Sequence, residues 1–409
     1  MPTKIPDIYH FNPTCEYAIA NGTATWQPNL LLQKMETDLA LLPAYLANPS
    51  DYLILDEKPS KKFINHLEKI NVHIPHAITK NELENFQVPN AAINRLLPWG
   101  WSPAEHKFLT PLKRYSSNVF KHSPVFSWKP EYRNLYSKKF ALEVLHKIIS
   151  EIDSEKMIDI DNTARICTTK KEIEALLRKW NKLMIKAPLS SSGRGLQPIT
   201  KVPVHFKVWE KILSTIRYQG YVLAEPLLDK AFDLAFQFEL RNGKIKYLGQ
   251  SNFLTDRKGQ YQGNYLNGLP QNLNDQIKDF VSTVPESIIA PLVNVLEDSD
   301  LAIHYEGNFG VDMLIFRDEN NNLKINPCLE INIRQTMGLL ALQFEKYILP
   351  GTMGIYKTFY DPQKSFSEFV NEMGNIFPLI ISNQKIKAGF FPLGDFNENT
   401  MFGAYLLVE

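Results

Sequence analysis

The sequence predicts an α/β protein of several domains, in which a parallel sheet is followed by α+β segments. The chain has 409 residues, too many for one ordinary hydrophobic core, which indicates two or three domains. Near the N-terminus, short apolar runs alternate with amphipathic segments, as strands and helices do in a parallel sheet covered on both faces. Further along, paired strand-like runs flank turn residues, which predicts antiparallel hairpins.

Composition narrows the class of protein. The formal net charge is +1 and lysine pairs do not extend into longer basic runs, so we expect neither a nucleic-acid partner nor a membrane partner. Three widely spaced cysteines argue against a disulfide framework and favour a reducing, cytoplasmic setting. We find no apolar stretch of the ~20 residues that a membrane span needs, and no signal-peptide core at the N-terminus.

The N-terminal segment begins with a strand, a loop and a helix. We expect strands at 8–11, 52–55 and 72–74, and helices at 30–42 and 61–70. Parallel sheets bind ligands beyond the carboxyl ends of their strands, so Asn12, Thr14 and Glu16 are candidate substrate contacts. The alternative is a capped loop whose polar groups satisfy the nearby backbone. No Gly-x-Gly-x-x-Gly motif follows the first strand, which argues against a nicotinamide or flavin cofactor there.

A proline-spaced region at 98–130 predicts the crossing to the next domain. Beyond it, Ser137 is a candidate N-cap of a helix. Thr169 and Glu172 have the spacing of a capping box, so a second helix should begin at that point.

The loop that follows is the first candidate for chemistry. Residues 183–185 predict a short strand that ends at Lys186, and Pro188 begins a turn. The loop then consists of small residues and one arginine: Ser190, Ser191, Ser192, Gly193, Arg194 and Gly195. Its backbone N–H groups could close on a phosphate, while the lysine and the arginine supply positive charge. The alternative is a flexible surface turn.

The next segment carries mainly structural signals. Asn242-Gly243 predicts a two-residue hairpin turn between two strands. The glycine and polar residues at 260–264 predict a mobile loop. The pattern at 274–297 is helical but contains Pro285 and Pro291, so we predict two short helices there.

A hairpin predicted at 310–334 is the second candidate for chemistry. Glu330, Asn332 and Arg334 share parity, so a strand projects them to one face, and the hairpin can bring Asp312 opposite them. Carboxylate and amide oxygens suit Mg²⁺, which makes the two acids and the asparagine candidate metal ligands. The arginine could balance charge on a transferring phosphoryl group. The alternative is a surface hairpin with solvated acids.

In their order along the chain, these motifs resemble those of the ATP-grasp superfamily. The resemblance implies that Lys186 and the loop 190–195 bind the phosphates of ATP. It also implies that Glu225 lies beside the adenine and that Asp233 holds the ribose.

The same resemblance implies a further phosphate-binding lysine upstream of the loop, for which Lys138 is preferred over Lys139. It assigns the acids and the asparagine of the hairpin to Mg²⁺, with Mn²⁺ as an alternative, and Arg334 to the transferred phosphate.

The implied architecture is an ATP-grasp fold, in which two α+β lobes clasp ATP, preceded by a Rossmann-like domain. The expected boundaries are a Rossmann-like domain at 1–125, a small lobe with the phosphate loop at 126–220, a large lobe with the metal site at 221–350 and a C-terminal α+β extension at 351–409.

The implied activity is ATP-dependent ligation. A substrate carboxylate is activated as an acylphosphate and joined to an amine or similar nucleophile, with release of ADP and phosphate. The partners are therefore a small-molecule acid and a small-molecule amine, and the sequence carries no signal for an oligomeric state. The alternatives are a small-molecule kinase that uses the same ATP site, and a nucleotide-binding protein that has lost turnover.

Overall fold

The computed structural model describes residues 5–87, 92–152, 154–190, 195–256 and 259–409. Within these residues the strands form three sheets. We name them the N-terminal sheet of four parallel strands, the small sheet of four antiparallel strands and the large sheet of nine strands. The mixed α/β class predicted from the sequence is confirmed.

The N-terminal sheet has the strand order β3-β2-β1-β4 with all neighbours parallel, as the sequence predicts. Its elements in chain order are β1 (Ile8–His10), α1 (Cys15–Asn21), α2 (Leu30–Asp38), β2 (Tyr52–Leu55), α3 (Lys61–Glu68), β3 (His76–Thr79) and β4 (Leu96–Pro98). The carboxyl end of β1 leads directly into the segment that carries the candidate substrate contacts.

The strand expected at 72–74 is wrong, because pairing begins only at His76. The Val72 N–H is already bonded to the Leu67 carbonyl at 3.1 Å, where α3 ends. Pro75 has no N–H to contribute to a ladder. The His76 N–H is the first to reach the neighbouring strand, at 2.9 Å from the Asp51 carbonyl.

Short helices cross from the N-terminal sheet to the rest of the chain. They are α4 (Pro103–Phe108), α5 (Thr110–Lys113) and α6 (Asn118–Lys121), and they precede the longer α7 (Lys138–Glu151). Ser137 caps α7 by accepting a hydrogen bond from the Phe140 N–H, as predicted. The cap fixes Lys138 as the first residue of this helix.

The small sheet has the order β5-β8-β6-β7. Its elements are β5 (Arg165–Cys167), α8 (Lys170–Trp180), β6 (Leu183–Lys186), β7 (Leu196–Ile199), α9 (Phe206–Gln219) and β8 (Val222–Pro226). The predicted capping box of Thr169 and Glu172 begins α8. Apolar residues such as Ile173 and Ile212 form a core of the small sheet's own, separate from the other buried clusters.

The large sheet has the order β13-β12-β9-β10-β11-β14-β17-β16-β15. Its strands are β9 (Asp229–Arg241), β10 (Lys244–Thr255), β11 (Tyr261–Leu266), β12 (Gly307–Arg317), β13 (Leu323–Asn332), β14 (Gly354–Tyr360), β15 (Ile380–Ser382), β16 (Lys385–Pro392) and β17 (Phe402–Val408). Its helices are α10 (Asp275–Glu297), α11 (Asp300–His304), α12 (Met337–Phe344) and α13 (Phe366–Ile376). The expected extension at 351–409 thus contributes four strands to the same sheet.

The mobile loop expected at 260–264 is wrong, because these residues enter β11. This strand pairs with β10 on one side and β14 on the other. The polar side chains find partners inside the sheet: the Tyr261 hydroxyl donates to Asn264 at 2.5 Å, and the Asn264 amide donates to the Asn252 carbonyl at 3.3 Å. Polar and glycine residues were therefore not sufficient evidence for a loop at this position.

The two short helices expected at 274–297 are a single helix, α10, with Pro285 and Pro291 inside it. Its apolar face explains why the helix continues past both prolines, since burial outweighs the lost hydrogen bonds. The buried residues are Ile277, Val281, Val284, Ile288, Leu292, Val295 and Leu296. By length and composition α10 could also span a membrane, contrary to the expectation from sequence; 39% of its most apolar window is buried inside the protein.

We predict that Pro285→Ala stabilises the protein. Alanine restores an N–H that can bond the Val281 carbonyl, so the free energy of unfolding should rise by about 1–2 kcal/mol in urea titrations. Pro285→Gly is the matched control, because it restores the same N–H but gains roughly 1 kcal/mol less. An unchanged or lower stability of the alanine variant would contradict this account of α10.

Candidate functional site

A buried lysine–glutamate pair lies in the small sheet. Lys186 ends β6, and its Nζ lies 2.6 Å from Oε1 of Glu225 on the neighbouring strand β8. The two side chains are only 8% and 14% exposed. Because a buried charge is costly unless it is paired, each side chain needs the other as its partner.

A second ion pair joins α7 to β13 of the large sheet. Lys138, the first residue of α7, places its Nζ 2.5 Å from Oε1 of Glu330 on β13 and 3.3 Å from the Ser190 carbonyl. Its backbone N–H donates to the Pro188 carbonyl at 2.9 Å. One lysine therefore links the loop after β6 to the large sheet.

Lys139 points elsewhere. Its side chain is half exposed, and its Nζ lies 3.7 Å from Glu143, one helical turn along α7. Of the two lysines that the sequence offered, only Lys138 lies with the other candidate residues.

A small cleft lies between Lys138 and the pair of Lys186 and Glu225. Its lining combines apolar side chains with charged groups. The lining residues are Lys138, Leu142, Leu145, Ala164, Lys186, Leu223, Glu225, Asn326, Cys328 and Leu329. Apolar walls with a few convergent charged groups are typical of small-molecule sites.

The apolar residues of this lining were not predicted from the sequence. Leu142 and Leu145 lie on α7 at the fourth and seventh positions after Lys138. Residues at that spacing share one helical face with Lys138. The cap at Ser137, which fixes where the helix begins, would therefore have placed both leucines beside the lysine.

The predicted row on the hairpin of β12 and β13 is present. Asp312 pairs directly with Glu330 across the two strands. Asp312 accepts a hydrogen bond from the Asn332 side chain, which in turn accepts one from an Arg334 terminal nitrogen at 3.0 Å. Burial and the negative charge of Glu330 raise the pKa of Asp312 to about 7.

Two carboxylates and an amide oxygen fit a hard divalent cation such as Mg²⁺, which also takes water and phosphate oxygens. A cation between Asp312 and Glu330 would remove the repulsion that raises the pKa of Asp312. Within the described ranges, no group of three or more His, Cys, Asp or Glu residues could hold a metal by itself. A metal here would therefore need the asparagine oxygen or the ligands of a bound substrate.

Arg334 is held from three sides. Its Nε donates to Glu16 Oε1 at 3.0 Å, one terminal nitrogen to the Gln335 carbonyl at 3.1 Å and the other to Asn332. Burial opposes the charged form, but the Glu16 carboxylate, together with Cys15 and Asp312, outweighs it and raises the pKa of Arg334 above its ordinary value. The guanidinium is therefore a fixed positive charge at the end of the row.

The remaining predicted nucleotide contacts have protein partners. Asp233 on β9 accepts hydrogen bonds from Lys230 Nζ at 2.8 Å and from the Thr255 hydroxyl at 2.7 Å. Gly195 closes the loop after β6, where its carbonyl accepts the Ala187 N–H at 3.0 Å, and a Cβ at this position would collide with Ser190. Ser191, Ser192, Gly193 and Arg194 lie outside the described residues, so their predicted role stays a prediction.

The candidate substrate contacts of the N-terminal domain differ in their surroundings. Asn12 bonds both the carbonyl and the N–H of Gly100, at 2.7 and 3.1 Å, as the alternative of a capped loop expects. The Thr14 hydroxyl donates to Glu36 at 2.5 Å. Glu16 contacts Arg334, at the end of the row on the hairpin of β12 and β13. Their assignment to substrate stays a prediction.

Comparisons with known proteins bear on the fold. No protein-family model and no curated protein matches the chain. Biotin carboxylase from Campylobacter jejuni is similar in structure, with a TM-score of 0.52 and 13% identity over 99% of this chain and 88% of that chain. N5-carboxyaminoimidazole synthetase from Staphylococcus aureus has a TM-score of 0.47 and 11% identity over 99% of this chain and 93% of that chain. The likeness to the first confirms the predicted ATP-grasp fold.

We predict a pH-dependent loss of stability that depends on Asp312. The folded protein keeps a proton on this carboxyl up to about pH 7, whereas the unfolded chain releases it near the ordinary value of about 4. The protein without ligands therefore loses stability as the pH rises from about 4 to about 7, by at most roughly 4 kcal/mol from this group. Denaturation across this pH range should show a flatter profile for Asp312→Asn.

Asp318→Asn is the control on the same hairpin. Hydrogen bonds from the turn hold the pKa of Asp318 below its usual range, so this variant should keep the slope between pH 4 and 7. Equal slopes for the wild type and Asp312→Asn would contradict the assignment.

Proposed function

We propose that this protein is an ATP-dependent ligase that forms a carbon–nitrogen bond between a small-molecule acid and an amine. The observation that carries the proposal is the position of Lys138, which contacts both the Glu330 carboxylate of the candidate metal site and the Ser190 carbonyl of the candidate phosphate loop. The Campylobacter structure of the same fold is a complex with β-γ-ATP, which supports a nucleotide in the cleft. The cysteines of this chain are free and buried, which agrees with the cytoplasmic location that we propose.

The cleft suits a nucleotide in one orientation. The apolar walls around Leu142 and Leu223 would enclose the adenine, with Glu225 at its edge. Asp233 would accept hydrogen bonds from the ribose. Lys138 and Lys186, at the charged part of the cleft, would then contact the phosphates together with the loop 190–195.

The hairpin row would hold the metal. Asp312, Glu330 and Asn332 offer oxygen ligands to Mg²⁺, or to Mn²⁺, which when bound would neutralise phosphate charge. Phosphates would also offer Lys138 a second anionic partner, so Glu330 could turn from the lysine to the metal without leaving either charge unpaired.

The chemistry needs positioning and charge neutralisation more than a nucleophilic side chain. A substrate carboxylate oxygen bonds to the γ-phosphorus as the bond to the bridging oxygen breaks, which gives ADP and an acylphosphate. The amine then bonds to the acyl carbon, phosphate leaves with the bonding electron pair, and a proton passes to solvent. Arg334, fixed at the end of the row, would stabilise the charge that develops on the transferred group.

We predict that the wild type binds Mg·ATP and that Lys186→Ala/Glu330→Gln weakens binding at least roughly 100-fold, as expected for two lost charged contacts. Lys138→Ala should also weaken binding, whereas Lys139→Ala, one residue away on the exposed side of α7, should not. Calorimetry measures the affinities, with circular dichroism as the check on folding. No binding by the wild type, or unchanged binding by the double variant, would refute the proposed site.

Product analysis tests the reaction. ADP release is screened with pooled carboxylic acids and amines, and mass spectrometry identifies the product. A ligase releases free phosphate in step with a new amide, whereas a kinase leaves a phosphorylated product without free phosphate. If neither pool stimulates ADP release, the ligase proposal loses its support in favour of a binding protein.

In the same assay, we predict that Arg334→Ala lowers kcat roughly 10²–10³-fold, because the guanidinium acts on charge that develops during transfer. Its affinity for Mg·ATP should change far less. Arg334→Lys keeps the charge but not the planar fork, and should recover only part of the rate. Equal losses in kcat and in affinity would assign the arginine to ground-state binding instead.

A further inference from the structure

We propose that Glu16 of the N-terminal domain is a positioning residue, which holds the Arg334 guanidinium in the orientation that meets the transferred phosphoryl group. This inference rests on the proposed function. It adds a domain to the catalytic site, since Glu16 lies on α1, beside the N-terminal sheet, whereas Arg334 follows β13 of the large sheet.

The contact itself is well defined. The Nε of Arg334 lies 3.0 Å from Glu16 Oε1, and the two side chains are 15% and 13% exposed. The other contacts of the guanidinium, to Asn332 and to the Gln335 carbonyl, come from its own segment. Glu16 therefore supplies the charged contact, and N–H donors remain on both terminal nitrogens for a phosphoryl oxygen.

The N-terminal domain is shaped to make this contact. Asn12 fixes the backbone of Gly100 by two hydrogen bonds, and a Cβ on Gly100 would lie 3.1 Å from Arg334 Cβ and would collide with the Cys15 sulfur. The neighbouring Trp99 carbonyl accepts the Gln335 N–H at 2.7 Å. The segment that carries the arginine is thus seated against the N-terminal domain by backbone as well as side-chain contacts.

Stability alone does not explain the pair. Glu16 Oε2 is fully buried and has no hydrogen-bond partner within the part of the chain that the structure describes. A buried ion pair gains little over an apolar contact, and an unsatisfied carboxylate oxygen adds a further cost. A retained cost of this kind at a functional site points to orientation of the arginine as the benefit.

The burial also separates this role from direct substrate binding. Oε2 is enclosed, and Oε1 is bonded to Arg334, so Glu16 could reach a substrate only by releasing the arginine. Holding the guanidinium requires no such change.

The test compares two probes on the full-length chain by calorimetry: Mg·ADP, and Mg·ADP with aluminium fluoride, which mimics a phosphoryl group in transfer. Glu16→Gln and Glu16→Ala should bind Mg·ADP like the wild type but bind the aluminium fluoride complex roughly tenfold to a hundredfold more weakly, the range for a charge-assisted hydrogen bond. Gly100→Ala, whose Cβ would crowd both Cys15 and Arg334 while the carboxylate itself is retained, should show the same selective loss.

The matched control is Asp7→Asn. Asp7 is buried in the same domain and pairs with Arg95 at 2.9 Å, at the opposite end of β1 from Asn12. This variant should lower the melting temperature and leave both affinities unchanged.

Several outcomes would overturn the inference. If the Glu16 variants lose affinity for both probes equally, or lose only thermal stability as Asp7→Asn does, then Glu16 has a structural role. If Arg334→Ala shows the selective loss and the Glu16 variants do not, the arginine acts without it. A wild type that binds neither probe refutes the proposed nucleotide site, and the inference falls with it.

Discussion

The contact between Lys138 and Glu330 lies where α7, the large sheet and the loop after β6 come together. It is a buried ammonium at 2.5 Å from a carboxylate, and it joins the start of α7 to β13 while the same ammonium reaches the Ser190 carbonyl of the loop after β6. A buried charge needs a partner, so Lys138 and Glu330 cannot separate without another anion and another cation to replace them. The proposed ligands, magnesium and a triphosphate, would together supply that cation and that anion.

The small sheet has a core of its own, whereas the N-terminal sheet shares buried clusters with the large sheet. The molecule is therefore built from one large body and one smaller lobe, with the cleft between them. Within the large body, Arg334 follows β13 of the large sheet and pairs with Glu16 beside the N-terminal sheet. The proposed reaction thus takes place between a lobe that holds phosphates and a body whose two sheets jointly fix the charge beside them.

Local rules predicted the parts of the site that depend on local geometry. The period of two in a strand placed Asn332 and Glu330 on one face, and the hairpin brought Asp312 directly opposite, as expected. The capping signals of α7 and α8 were likewise local. The single helix α10 could not be predicted in this way, because burial of its apolar face outweighs two prolines, and that face is visible only in the packed structure. The pair of Glu16 and Arg334 spans 318 positions, and no local pattern connects them.

A crystal structure of the protein with Mg²⁺ and a non-hydrolysable ATP analogue tests the central claim most directly. We expect the adenine between Leu142 and Leu223, a metal bonded to oxygens of Asp312 and Glu330, and Lys138 moved from Glu330 to a phosphate oxygen. A nucleotide bound outside this cleft, or one bound inside it with the contact between Lys138 and Glu330 still intact, would contradict the account.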